Sequence, residues 1–140
     1  MDYYALDTNV IIHRLRGEPN VVQNFRNAAI AGHFFVIPRA VDYEIWRGFK
    51  ITPAPKKESM YLDILNFDGC CGIVDMGESI WEISKQLYAD LHKKSQSVGE
   101  IDILLAACCL HNDYTLVTSN TKHFHHINGL KLIDWTQPTK

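Results

Sequence analysis

The sequence has no excess of positive charge, no long apolar run and no cysteine pair spaced to grip a metal. Fourteen Lys and Arg face sixteen Asp and Glu, a formal net charge of −2. Such a balance gives no global pull toward nucleic-acid phosphates, so any affinity for RNA has to come from local patches or bridging cations. No segment reaches the ~18 apolar residues that a membrane helix needs. Met1-Asp2-Tyr3-Tyr4 lacks the basic and long apolar stretches of a signal peptide, so a cytoplasmic location is expected. The four cysteines fall in two adjacent pairs, Cys70-Cys71 and Cys108-Cys109. Neither pair has the C-x-x-C spacing of a zinc or redox site, and buried free thiols are expected. Also missing are G-x-x-x-x-G-K-[ST], G-x-G-x-x-G and G-x-S-x-G, which leaves a nucleotide cradle or a serine nucleophile unsupported.

What is present is the material of one ordinary domain. The chain has 140 residues, 46% hydrophobic and 21% charged. A domain of that size buries roughly two thirds of its unfolded surface and needs no staple to fold. Short apolar runs at Tyr4–Leu6, Phe34–Ile37, Gly72–Val74, Thr115–Thr118 and Leu130–Ile133 read as buried strands. Helical patterns lie between them. Ile80, Ile83, Leu87 and Leu91 recur at spacings of three and four, and Ile101 to Leu110 is apolar nearly all round. Further helices are expected over Val21–Ala31, Val41–Phe49 and Met60–Phe67, with Thr52–Pro55 as a loop. Strands alternating with helices imply βαβ units and a parallel sheet covered on both faces. No repeat or linker divides the chain.

Three acids stand out. Asp7 follows the first strand directly, where ligands bind in open α/β sheets. Asp7, Thr8 or Asn9 is also a natural helix N-cap, and capping by Thr8 or Asn9 leaves Asp7 free. Asp102 opens the apolar helix, where an acid suits the helix dipole and can also point into a cleft. Glu44 lies on the helix after Pro38. Asp42 is two residues away, so at most one of that pair faces the site. Carboxylates without a nearby thiolate form a hard-oxygen set that suits Mg²⁺ or Mn²⁺ over zinc. Divalent cations relieve the mutual repulsion of the acids and can activate a water against a phosphodiester. Thr118-Ser119-Asn120 closes the fourth strand with small polar groups. His123-Phe124-His125-His126 matches no metal-ligand spacing and reads as a polar turn around a buried Phe124. Arg14, Arg39 and Lys122 are candidate phosphate contacts because they lie near the acids in sequence.

In order and spacing these segments resemble the PIN-domain family, and within it the VapC-type toxins. Leu6-Asp7-Thr8-Asn9-Val10-Ile11-Ile12 resembles its opening motif. Val41 to Gly48 is similar to its glutamate helix, and Gly99 to Ala107 to its third motif. Leu116 to Phe124 and Ile127 to Trp135 resemble its closing segments. The resemblance implies a three-layer α/β/α sandwich over one domain, 1–140, with a five-stranded parallel sheet ordered 3-2-1-4-5. It implies a metal-dependent endoribonuclease with Asp7, Glu44 and Asp102 as catalytic and metal-binding acids. Thr8, Asn9, Thr118 and Asn120 would form a polar supporting shell. It implies RNA as substrate, Mg²⁺ or Mn²⁺ as cofactor, a homodimer, a VapB-type antitoxin and no membrane. Many relatives carry a fourth acid after strand 4, and Thr118-Ser119-Asn120 offers none. That gap motivates a different expectation, a catalytically inactive module that binds RNA or protein. A phosphatase of the haloacid-dehalogenase type is disfavoured, because Asn9 stands where that family has a second aspartate.

Overall fold

The computed structural model describes residues 2–67 and 69–138. In chain order the elements are β1 (Tyr3–Leu6), α1 (Thr8–Leu15), α2 (Pro19–Ile30), β2 (Phe34–Pro38), α3 (Arg39–Ile51) and α4 (Pro55–Leu65). They continue with β3 (Cys70–Val74), α5 (Glu78–Lys93), α6 (Glu100–Asn112), β4 (Thr115–Val117), α7 (Thr121–Phe124) and β5 (Lys131–Ile133). The five strands form one parallel sheet in the order β3-β2-β1-β4-β5, as the resemblance implied.

That order follows from the connections. β1 to β2 to β3 steps one way across the sheet, and β3 to β4 to β5 steps back past β1. Right-handed crossovers put the helices of the two directions on opposite faces. Accordingly α1 packs on α2, α3 and α4, while α5 packs on α6 and α6 on α7. α3 and α6 also meet, closing the carboxyl end of the sheet from both sides.

Burial explains the central elements. Ala5, Leu6, Phe35, Ile37, Leu116 and Val117 are fully buried in the middle strands. α6 buries Ile103, Leu105, Ala106, Ala107, Cys108 and Cys109, the core helix expected from its all-round apolar sequence. It ends at Asp113, whose left-handed φ of 58° is one that Asp tolerates. Phe25, Phe35 and Trp135 form a ring cluster under α2, with the Phe25 and Phe35 centroids 4.4 Å apart.

Three helix starts differ from the sequence expectation, each because of proline or capping chemistry. α2 begins at Pro19 and α4 at Pro55, since proline at a first helical position has no N–H to leave unpaired. The Ala54 N–H then donates to Glu58 Oε2 at 2.9 Å, so the segment 52–55 leads straight into α4. α3 begins at Arg39 immediately after β2. β3 begins at Cys70, and its pairing with β2 shifts register between Phe35 and Ile37. Gly72 (φ +83°) sits on β3 opposite that irregularity, in a conformation that L side chains rarely adopt. The edge position leaves Cys71 exposed and Cys70 half-buried, which corrects the expectation that both pairs are buried; Cys108 and Cys109 are.

Candidate functional site

The site begins where β1 and β4 stop together. Leu6 pairs with Val117, and the Asp7 N–H donates to the Val117 carbonyl at 3.0 Å. Asp7 and Thr118 therefore leave adjacent strands side by side, at 4% and 0% exposure. The Asp7 carboxylate is held on both oxygens. Oδ1 accepts from the Thr8 N–H at 2.7 Å, and Oδ2 accepts from Thr118 Oγ1 at 2.8 Å and Asn9 Nδ2 at 3.0 Å. Asp7 is thus itself the N-cap of α1. Capping by Thr8 or Asn9 is not what occurs, because the two residues turn their side chains to other partners.

Those partners join the loops into one network. Thr8 Oγ1 donates to Glu44 Oε1 at 2.9 Å, tying α1 to α3. Asn9 Oδ1 accepts from the Ser119 N–H at 2.9 Å. Thr118 Oγ1 accepts from the Asn120 N–H at 3.0 Å. Asn120 contributes here through its backbone. Glu44 also has Arg47 on the same helix, with Arg47 Nη2 3.5 Å from Oε2. Asp102 lies on the first turn of α6, with His123 Nδ1 at 3.4 Å from its Oδ2. Asp42 turns away, accepting from the Tyr61 hydroxyl at 2.8 Å, as expected of a residue two positions from Glu44.

The three acids feel one another. Burial pushes the Asp7 carboxyl above the usual aspartate range; the bonds from Thr118 and Thr8 pull it back in part, and the charges of Asp102 and Glu44 push it further up. Burial is the largest cause, and the two neighbouring carboxylates add to it. Their donor chemistry, carboxylate oxygens with no thiolate nearby, fits a hard divalent ion. As the side chains stand, no three His, Cys, Asp or Glu among the described residues enclose an ion.

Of the three cations expected to contact phosphate, Arg14 and Arg39 are engaged with other partners. Arg14 lies with its guanidinium 5.6 Å from the centroid of the Phe25 ring, in a cleft between α1, α2 and α4. Arg39 is engaged by Asp75 at 2.6 Å and Asp42 at 3.7 Å. Lys122 is exposed on α7. The basic groups beside Glu44 are others. A cleft of about 240 Å³ starts at Thr8 and Glu44, is walled by Ile12, Ile45 and Phe49, and carries Arg16 and Lys57. Sequence reasoning did not single out Arg16, Arg47 or Lys57 as neighbours of Glu44, and it set His123 aside as part of a polar turn. For Arg47 the signal was there, three residues after Glu44 and so on the same helix face.

Comparison with known proteins adds the context. The chain is 26% identical to a ribonuclease VapC2 of Rickettsia felis, over 94% of this chain and 97% of the relative. It is 23% identical to a tRNA(fMet)-specific endonuclease VapC of Shigella flexneri, over 95% and 98%. Among solved structures it superposes with a TM-score of 0.82 and 25% identity on a chain of VapBC2 from Rickettsia felis bound to a DNA fragment from the promoter, covering 95% of this chain and 98% of that one. A DNA-bound VapBC of Salmonella typhimurium gives 0.80 at 22% identity, covering 96% and 99%. The PIN domain model matches residues 4–130, and the chain belongs to that family.

Proposed function

We propose that this chain is a metal-dependent endoribonuclease that hydrolyses RNA phosphodiester bonds, the toxin of a VapBC-type pair. The observation that carries this reading is Asp7: buried, locked by three donors, and raised in proton affinity partly by Asp102 and Glu44. A stable protein gains nothing from that arrangement by itself, since crowded carboxylates destabilise the fold unless a cation joins them. The names of the relatives support ribonuclease chemistry, and the VapBC complexes support a VapB-type antitoxin as partner. We further propose Mg²⁺ or Mn²⁺ as the ion, a cytoplasmic setting and a homodimer.

Asp7, Glu44 and Asp102 would hold the ion. When bound, a divalent cation supplies Lewis acidity to the phosphoryl oxygens and a water of lowered pKa. The chain's own groups do the positioning. Thr8, Asn9 and Thr118 fix the Asp7 carboxylate by donating to both of its oxygens. Thr8 presents Glu44, and Arg47 screens its charge. Arg16 and Lys57, beside the same cleft, are placed to meet backbone phosphates on either side of the reacting bond.

The test is cleavage of total RNA by the purified protein with Mn²⁺, with Mg²⁺ and with EDTA, alongside Asp7→Asn. Cleavage requiring metal and reduced more than roughly a hundredfold in the variant is expected, beyond the 10–100-fold usual for losing an outer-shell group. Metal-independent cleavage, or full activity in Asp7→Asn, would refute the assignment. A folded, antitoxin-free protein that binds RNA under every condition and cuts under none would instead support a binding module.

A further inference from the structure

We propose that His123 supplies an imidazole nitrogen to the cation held at Asp102. The inference rests on the reading of Asp7, Glu44 and Asp102 as a cation site, and it assigns this chain a ligand that its sequence spacing had excluded.

The first ground is what stands after β4. Residues 118–120 contain no acid, and their polar groups serve the Asp7 side: Thr118 Oγ1 donates to Asp7 Oδ2, and the Ser119 N–H binds Asn9. That side is furnished by neutral donors. On the Asp102 side the helix that follows, α7, supplies a histidine, His123.

The second ground is distance. His123 Nδ1 lies 3.4 Å from Asp102 Oδ2. A charge-assisted N–H···O⁻ bond is shorter, about 2.7–2.9 Å. Two donors bound to one ion at about 2.1 Å and separated by a 90–110° angle stand roughly 3.0–3.4 Å apart. The separation is wider than a tight hydrogen bond and lies at the outer end of the range for two ligands of one ion.

The third ground is mounting. α7 fixes His123 from below: its N–H donates to the Asn120 carbonyl at 2.9 Å, and the next residue, Phe124, is buried at 1% exposure. The ring itself is 57% exposed, against 25% for Asp102. The backbone is anchored while the imidazole keeps room to rotate onto an ion.

A nitrogen donor changes which ion is favoured. Imidazole suits transition metals, whereas Mg²⁺ prefers all-oxygen surroundings. This chain should therefore favour Mn²⁺ over Mg²⁺ more strongly than its carboxylates alone would.

The experiment is pulsed electron paramagnetic resonance on the full-length, Mn²⁺-loaded protein, with unlabelled and ¹⁵N-histidine samples. Echo modulation from ¹⁴N coupled to Mn²⁺ is expected, replaced by the ¹⁵N pattern on labelling. In His123→Gln the coupling should vanish while Mn²⁺ still binds, more weakly, at the remaining carboxylates; His125→Gln should retain it. His123→Asp should bind Mn²⁺ without nitrogen coupling and narrow the Mn²⁺ to Mg²⁺ preference. The readout on the unaltered protein stands even if a variant folds poorly. Mn²⁺ bound without nitrogen coupling, or coupling that survives in a folded His123→Gln, overturns this inference and leaves the carboxylate reading intact. Failure of Mn²⁺ to bind the unaltered protein at millimolar concentration overturns both.

Discussion

Replacing Asp7 by Asn should make the metal-free protein more stable while removing its activity. The ionised Asp7 carboxylate is 4% exposed and has Asp102 and Glu44 as charged neighbours. Its bonds to Thr8, Asn9 and Thr118 offset only part of that, because its proton affinity remains raised. A carboxylate whose pKa is higher folded than unfolded contributes no cost below its unfolded value. The cost grows as pH rises past that value, near 3.8, and is complete above the folded pKa. Asparagine removes the charge and keeps an oxygen for the cap, but its amide group puts a donor against at least one existing donor, a loss of about 1 kcal/mol. Because the fold holds this charge at raised proton affinity, its relief opposes that loss, and a net gain at pH 7 within the ~0.5–2 kcal/mol of ordinary stabilising substitutions is expected. The assay is urea denaturation in EDTA at a series of pH values from 3 to 8. The variant's advantage should be absent at the acid end and grow through the window above 3.8. Mn²⁺ at a hundred times its Kd should stabilise the unaltered protein by about 2.7 kcal/mol and the variant far less, reversing the order. A variant less stable than the unaltered protein at pH 7 in EDTA, or a difference independent of pH, would refute the account of Asp7 as a strained functional acid.

Three further outcomes can be measured directly. Thr118→Val removes a buried hydroxyl that serves Asp7 Oδ2 and the Asn120 N–H, and should cost about 1–3 kcal/mol in urea denaturation; a cost below 0.5 kcal/mol would show that water replaces it. Arg16→Glu with Lys57→Glu should weaken binding of an uncleavable single-stranded RNA and lower the slope of log K against log salt by about one for each phosphate no longer neutralised. An unchanged slope would remove these residues from the RNA path. Thiol titration of the native protein should label Cys71 quickly and leave Cys108 and Cys109, at 0% and 1% exposure, unreacted until urea unfolds the chain.

How much of this was legible depends on which distances each feature involves. The strands and α6 were visible because their burial is written in consecutive residues. Helix phase allowed at most one of Asp42 and Glu44 to face the site, and the family resemblance picked Glu44. Helix phase separates the cations just as well. Arg14 is six positions after Thr8, about 240° around α1, and so faces α2, whereas Ile12 and Leu15 share the Thr8 side. Arg39 is five positions before Glu44, about 140° away, while Arg47 at three positions stays beside it. Proximity in sequence carries no helix phase, and phase is what sets Arg14 and Arg39 apart from Arg47 around Glu44. Asp7 posed a different difficulty. Cap and site looked like competing roles, yet a carboxylate has two oxygens with spare lone pairs, and here one orientation caps α1 while also binding Asn9 and Thr118 from the other loops. His123 was beyond reach for a third reason. Its neighbour Asp102 arrives from the β3-to-β4 crossover, and His123 itself from the β4-to-β5 crossover. Nothing local relates them. Only the packing of α7 on α6 at the edge beside β4 brings the imidazole to the carboxylate, so a ligand motif sought along the chain could not contain it. Where a site is assembled from the ends of separate strands, sequence spacing identifies the acids that lie within one motif and is blind to donors that meet across crossovers.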